Sequence, residues 1–253
     1  MVSHDIIKDI AIASPSKIVM LVIDGLGGLP ESKSGKTELE IASTPHLDKL
    51  AQEGICGLID PVSPGITSGS GPGHLALFGY DPLKFTIGRG VLEALGIDFD
   101  LKDTDVAARG NFCTLDDRGV IIDRRAGRIS TEKSRQLCGL LSCIKLENTQ
   151  LFVLPVRDHR FLLVFRGNNL SAAVSDTDPQ RIGVAPNTAM PINSEGKGTA
   201  NLIKQFVDIA AEILSRYYPA NMVLLRGFSR LPHFPSIKAV SYTHLTLPTN
   251  REV

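Results

Sequence analysis

The chain has 253 residues, room for one large or two small domains with a buried core. Its 43% hydrophobic and 21% charged residues are an ordinary globular balance, and 27 basic against 27 acidic residues imply no general pull toward nucleic acid or membrane. The four cysteines, Cys56, Cys113, Cys138 and Cys143, form no Cys-x-x-Cys pair and read as free thiols of a reducing compartment. The first residues lack a basic stretch followed by an apolar one, and the longest apolar run, Ile18 to Ile23, is too short to span a bilayer. A cytoplasmic protein without a membrane partner is expected.

In chain order, a short helix is expected over Asp5 to Ile12, stopped by Ser14-Pro15. Lys17 to Ile23 is continuously apolar and β-branched, the pattern of a central parallel strand covered on both faces. It runs into Asp24-Gly25-Leu26-Gly27-Gly28, and Asp24 then sits just past a strand's carboxyl end, where open α/β sheets carry functional groups. An Asp-Gly turn is the plainer reading, but no returning strand follows. Thr44-Pro45 reads as an N-cap and first helical residue, with the helix ended by Gly54. Ile55 to Ile59 is a second expected strand.

That strand leads into Pro64-Gly65-Ile66-Thr67-Ser68-Gly69-Ser70-Gly71-Pro72-Gly73-His74, a glycine-rich loop carrying hydroxyls, followed by a short apolar helix, Leu75 to Phe78. A hydroxyl between glycines at the start of a helix lies where backbone N–H groups are free and an anion is favoured. Ser70 is therefore the candidate nucleophile, against the plainer reading of a Gly/Pro surface turn. A helix from Val91 to Leu95 comes next. Asp105 to Leu115 and Val120 to Asp123 read as a hairpin, Thr131 to Leu141 as a helix, and Leu151 to Pro155 and Arg160 to Phe165 as two strands. Residues 100–185 thus look like a small inserted α+β domain. The longest helix is expected from Asn193 to about Tyr217, and Asn221 to Leu225 as a buried strand returning to the main sheet. The last thirteen residues, from Ser241, fit nothing before them and read as a non-native tail, as if the native chain were cut near Val240.

Val22-Ile23-Asp24-Gly25-Leu26-Gly27-Gly28, Ser43-Thr44-Pro45-His46-Leu47-Asp48, the Ser70 loop with its continuation to Gly79-Tyr80-Asp81-Pro82, Gly88-Arg89-Gly90, Asn111-Phe112-Cys113-Thr114, Asp123-Arg124-Arg125-Ala126-Gly127-Arg128-Ile129 and Asn221-Met222-Val223-Leu224-Leu225-Arg226-Gly227 keep one order along the chain. Together they resemble the archaeal-type, cofactor-independent phosphoglycerate mutases of the alkaline phosphatase superfamily, over residues 17–240.

The resemblance implies an α/β fold: an alkaline-phosphatase-like sheet covered by helices, with residues 1–99 its first part, the smaller α+β domain at 100–185 a substrate lid, 186–240 a return to an incomplete main sheet, and 241–253 the tail. It implies exchange of 3-phosphoglycerate and 2-phosphoglycerate through a phosphoserine at Ser70, without bisphosphoglycerate. It implies two divalent metal ions, manganese or magnesium by oxygen-ligand chemistry, zinc or cobalt if histidines contribute, with Asp24 and Ser70 among the ligands. Arg124, Arg125 and Arg128 would bind the phosphorylated carboxylate substrate, with His159 and Arg160 as further contacts. The plainer reading makes these arginines a solvated face beside acids such as Asp123 and Glu132. The family's Asp-Glu-Ala-Gly-His-like and Asp-His-Ser-Thr-Pro-like metal motifs do not occur. Without them two metals are not held tightly, and the chain as written is expected to be inactive and poorly stable. A different phosphatase or a phosphopentomutase of the superfamily, or a non-catalytic phosphate-binding fragment, are the alternatives.

Overall fold

The computed structural model describes residues 10, 12, 14–23, 26–66 and 68–236, with the backbone alone at Ser70. Most of the expected Asp5–Ile12 helix, the residue Asp24 and the tail from 241 lie outside these residues.

The order begins with helices. α1 (Glu38–Ile41) carries a capping box: the Thr37 hydroxyl accepts from the Glu40 N–H, and the Glu40 carboxylate accepts from the Thr37 N–H. α2 (Pro45–Glu53) starts on the expected proline, its polar and apolar residues all out of the core. α3 (Ser70–Leu77) begins at Ser70 itself, so the serine is the first residue of the helix and not part of a loop before it. α4 (Arg89–Gly96) is the first element with a buried face, through Val91, Glu93 and Ala94.

Five strands follow: β1 (Val106–Leu115), β2 (Ile121–Asp123), β3 (Thr149–Arg157), β4 (Arg160–Gly167) and β5 (Met222–Ser229). A 3₁₀ turn (Ala126–Arg128) and α5 (Thr131–Leu141) lie between β2 and β3, and α6 (Gly196–Leu214) precedes β5. The sheet is antiparallel throughout. β1 is central: the same residues pair with β4 (Ala107 with Val164, Arg109 with Leu162, Asn111 with Arg160) and with β5 (Arg109 with Arg226, Asn111 with Leu224). β3 flanks β4, and β2 pairs the last residues of β1.

Period-two alternation sorts the strands onto two faces. Phe112, Phe161, Leu163, Phe165, Val223 and Leu225 face α5 and α6, which contribute Leu137, Leu141, Ile203, Phe206, Ala210 and Leu214. Ala107, Leu162 and Val164 face α4 through Val91 and Ala94. The continuous apolar runs of β4 and β5 follow from this two-sided cover. Gly90 permits the close approach of α4, since a Cβ there would run into the Ala107 carbonyl.

Three expectations are corrected. Lys17 to Ile23 is not a strand: Ile18 is 83% and Val19 93% exposed, and no described residues form a ladder with them. Ile55 to Ile59 is not a strand either, with Ile55 and Leu58 fully exposed. A strand exists only by hydrogen bonding to a neighbour, and apolar pattern alone supplies none. Third, the strand beginning near Asn221 does not return to a separate main sheet. It pairs with β1, so the sheet built from the 100–185 block also takes in β5, and α4 and α6 cover it.

Candidate functional site

The α4-facing side of the sheet is apolar where α4 covers it and again at Cys113, Met222 and Leu224, with a polar stretch between. Past Ala107 the same face continues on β1 with Arg109 and Asn111, on β4 with Arg160 and on β5 with Arg226, because directly paired residues share a face. Alternation thus delivers three arginines and an amide to one stretch of the sheet.

α4 sends one acid into this stretch. Glu93 is 5% exposed, forms an ion pair with Arg109, and lies 3.7 Å from Arg160 Nη1. The residue before the helix interior, Arg89, has its backbone against Gly227, whose φ of 64° and lack of a Cβ allow that contact.

Two further acids, Asp176 and Asp178, come from residues 176–178, which run beside β5. The Thr177 N–H donates to Leu225 O at 2.9 Å, the Leu225 N–H donates to Thr177 Oγ1 at 2.8 Å, and the Gly227 N–H donates to Asp176 Oδ1 at 2.7 Å. Asp178, its side chain wholly buried, receives Arg124 in a bidentate pair, Nε to Oδ1 at 3.0 Å and Nη2 to Oδ2 at 2.6 Å. Arg226 Nη1 lies 3.8 Å from the same Oδ2. Burial raises the Asp176 carboxyl above the usual range against the opposing Gly227 hydrogen bond, and burial followed by the nearby Arg89 cation lowers Arg226.

The loop after β2 adds the remaining cations. Gly127 has φ 62°, and Asp123 holds the turn by accepting from the Arg125 N–H at 2.8 Å and the Gly127 N–H at 2.6 Å. Glu132 pairs with Arg135. The two acids expected to neutralise the arginine cluster are therefore engaged elsewhere, and Arg125 and Arg128 stand exposed. His159, in the β3–β4 turn, is held below its ordinary pKa by burial first and then by Arg160, Arg125 and Arg128, against the opposing Asp158. It is a neutral imidazole among cations at neutral pH.

Of the residues singled out from sequence, Arg125, Arg128, His159 and Arg160 are brought within electrostatic reach of one another. Arg124 joins the same stretch of the sheet through Asp178, but its Nε/Nη2 edge is spent there and not on a ligand. Ser70 opens α3, and the following Gly71 packs on Ile87 and Leu92 beside α4, the helix that carries Arg89 and Glu93 into the cluster. Asp24 lies outside the described residues. Arg89, Glu93, Arg109, Asn111, Asp176, Asp178 and Arg226 had no assigned role in the sequence reading. The signal for Arg109 and Asn111 was available: two polar residues at alternate positions in an otherwise apolar strand. For Asp178 and Glu93 there was none, since their partners are distant in sequence.

Three buried polar atoms of these residues have no hydrogen-bond partner among the described residues: Asn111 Oδ1, His159 Nδ1 and Arg226 Nε. Glu93 Oε1 and Arg109 Nε, ion-paired with each other, have no hydrogen-bond partner there either, so this stretch holds buried donors and acceptors of both kinds beside several guanidinium groups. The described residues, which do not include Asp24, contain no group of three or more His, Cys, Asp or Glu able to hold a metal ion. No helix among them is long and apolar enough to cross a membrane.

A family model described as 2,3-bisphosphoglycerate-independent phosphoglycerate mutase matches residues 51–219. Curated relatives named as probable enzymes of that kind include one from Aquifex aeolicus, 46% identical over 243 residues covering 92% of this chain and 60% of the relative. One from Deinococcus radiodurans is 47% identical over 239 residues, covering 92% and 58%, and one from Thermus thermophilus is 45% identical over 237 residues, covering 93% and 58%. The chain thus spans about three fifths of the length of these relatives. Among solved structures, the cofactor-independent phosphoglycerate mutase of Thermoplasma acidophilum superposes with a TM-score of 0.55 at 35% identity, covering 86% of this chain and 60% of that one. A Pyrococcus horikoshii protein gives 0.62 at 28% identity, covering 85% and 52%. With the matched segment extending over more than half of its residues, the chain belongs to the family of 2,3-bisphosphoglycerate-independent phosphoglycerate mutases.

Proposed function

We propose that this chain carries the substrate-anion pocket and the phosphoryl-accepting serine of an enzyme that interconverts 3-phosphoglycerate and 2-phosphoglycerate. The observation that supports this most is the polar stretch of the sheet. Arg109, Arg160 and Arg226 share one face there, with Arg125, Arg128 and the neutral His159 alongside and with the Arg226 Nε edge unspent. A phosphoglycerate presents a phosphate and a carboxylate, and planar guanidinium donors match both.

In this reading the Ser70 oxygen attacks phosphorus, forming the Oγ–P bond as the bond from phosphorus to the C3 oxygen breaks. The serine proton leaves and the departing alkoxide takes one up. The glycerate turns within the arginine pocket, its 2-hydroxyl attacks the phosphoserine, and the serine is regenerated. Net atoms and charge are unchanged, as an isomerisation requires. The arginines hold both anionic ends during the turn and compensate the phosphoryl charge. By the sequence motifs, Asp24 and Ser70 would hold one divalent ion, manganese or magnesium, which would supply charge neutralisation to the serine and phosphoryl oxygens. What the described residues themselves do is bind and orient the anion.

Intact-mass spectrometry after incubation with 3-phosphoglycerate and manganese tests the covalent step. With the absent metal motifs supplied by fusion to the unmatched part of the Aquifex aeolicus relative, the expected result is one added phosphoryl group on the fused chain and none on its Ser70→Ala variant. Binding of 3-phosphoglycerate without any adduct would reduce the chain to a phosphate-binding module. Release of inorganic phosphate from a range of phosphoesters would instead make it a phosphatase.

A further inference from the structure

We propose that Asp178 is a positioning residue: its single buried carboxylate draws Arg124 and Arg226 together and fixes the Arg226 guanidinium with its buried Nε–H unpartnered and open to a ligand. The proposal rests on reading the pocket as a phosphoglycerate site.

The geometry is specific. The Asp178 side chain is 0% exposed, and a carboxylate so buried must be matched by charge and hydrogen bonds. Arg124 supplies two hydrogen bonds, at 3.0 and 2.6 Å, and the Gln180 N–H a third, to Oδ1 at 2.9 Å. Arg226 Nη1 stands 3.8 Å from Oδ2, while Arg226 Nη2 donates to Gln180 Oε1 at 2.9 Å. One terminal nitrogen of Arg226 is thus hydrogen-bonded, and the other lies in ion-pair range, to one short segment, Asp178 to Gln180. Its Nε is buried and has no partner among the described residues.

The segment is rigidly placed. Thr177 exchanges backbone and hydroxyl hydrogen bonds with Leu225, and Asp176 receives the Gly227 N–H, so the residues on both sides of Arg226 are pinned to it. A flexible surface arginine spends conformational entropy on binding an anion. An arginine hydrogen-bonded to a fixed loop and ion-paired to its buried acid has already lost much of that freedom. Asp178 therefore acts on the ligand through Arg226, without touching it. Arg124 has the matching task of neutralising Asp178, so that the acid does not repel the incoming anion.

The test is ¹⁵N NMR of the 253-residue chain titrated with 3-phosphoglycerate, following the Arg226 Nε–H signal, assigned by its loss in Arg226→Lys. In the parent chain this signal shifts on binding. Asp178→Asn is expected to bind about tenfold more weakly and to show little Nε–H shift, the loss of roughly one charge-assisted hydrogen bond in pre-organisation. Gln180→Ala, at an exposed position that does not threaten folding, is expected to weaken binding about threefold with an unchanged melting temperature. Folded Asp178→Asn with parental affinity and shift, beside a weakened Arg226→Lys, overturns the positioning role alone. If Asp178→Asn does not fold, parental affinity in Gln180→Ala does the same. A parent chain that does not bind 3-phosphoglycerate, or an Arg226→Lys variant that binds as well as the parent, overturns the pocket reading and this proposal with it.

Discussion

Two stretches of the same kind of sequence have opposite fates in this molecule. Lys17-Ile18-Val19-Met20-Leu21-Val22-Ile23 and Met222-Val223-Leu224-Leu225 are both apolar, β-branched or leucine-rich, and both read as buried strands. The second is a strand, paired along β1 with Val223, Leu224 and Leu225 at 0% exposure. The first is exposed, with no ladder among the described residues. The difference is not propensity but partners. β1 presents a free edge to residues 222–229 and α6 covers one face, whereas nothing described offers either service to residues 17–23. An apolar run is a demand for neighbours, and the fold decides whether it is met.

That contrast is measurable first as stability. Phe161 lies at 0% exposure against Phe112, ring centroids 4.8 Å apart, and Phe161→Ala is expected to cost about 3–5 kcal/mol in urea unfolding. Leu21→Ala, at a position 76% exposed, is expected to stay within about 0.5 kcal/mol. Comparable losses from both would mean that residues 17–23 have a partner after all.

Thiol chemistry sharpens the same contrast. Cys113 and Cys138 are buried; burial drives the Cys113 thiol far up, and pushes Cys138 to about 12. Cys56 and Cys143 are exposed. Iodoacetamide under native conditions should label Cys56 and Cys143 at least about tenfold faster than the buried pair, read by peptide mass spectrometry, with the difference lost in urea. Equal labelling in native buffer would show that the sheet unit is not closed. A third probe asks whether missing neighbours are the cause. Fusing this chain to the part of the Aquifex aeolicus relative that it does not match should raise amide-exchange protection at Ile18 to Ile23 and leave β4 unchanged.

The smallest expected effect is a pH dependence. His159 has its folded-state pKa held below 6.5 by burial and by Arg160, Arg125 and Arg128. As pH falls through 6.5 the unfolded chain takes a proton that the folded chain refuses, so stability declines from there down to the folded pKa and is fully present above 6.5. His159→Asn should flatten that part of the urea-midpoint profile. A bound phosphoglycerate has the reverse influence on the imidazole, so binding should take up protons in this range.

How much could be read beforehand depended on distance along the chain. The helix Thr131–Leu141 was legible to the residue, because its signals are local: Ser130 accepts from the Lys133 N–H as N-cap and the apolar spacing continues to Leu141. β1 and β4 were legible from apolar content and the intervening turns. The Ser70 motif was legible as a motif, but the helix begins at Ser70 and not at Leu75, since Gly71, Pro72 and Gly73 are compatible with a first helical turn. The arginine cluster was seen only in part. Arg124 meets Asp178 from 54 positions away, and Arg109 meets Glu93 from another element. Such pairs are made by strand register and helix docking, which neither composition nor spacing reveals.

The central claim, that the polar stretch of the sheet is a phosphoglycerate pocket, is tested most directly by calorimetric titration of the 253-residue chain and of Arg226→Ala with 3-phosphoglycerate, using glycerate as the control without phosphate. The prediction is saturable binding of 3-phosphoglycerate, none of glycerate at the same concentration, and a loss of about tenfold or more in Arg226→Ala. Equal binding by both chains, or no binding by the parent, would contradict it.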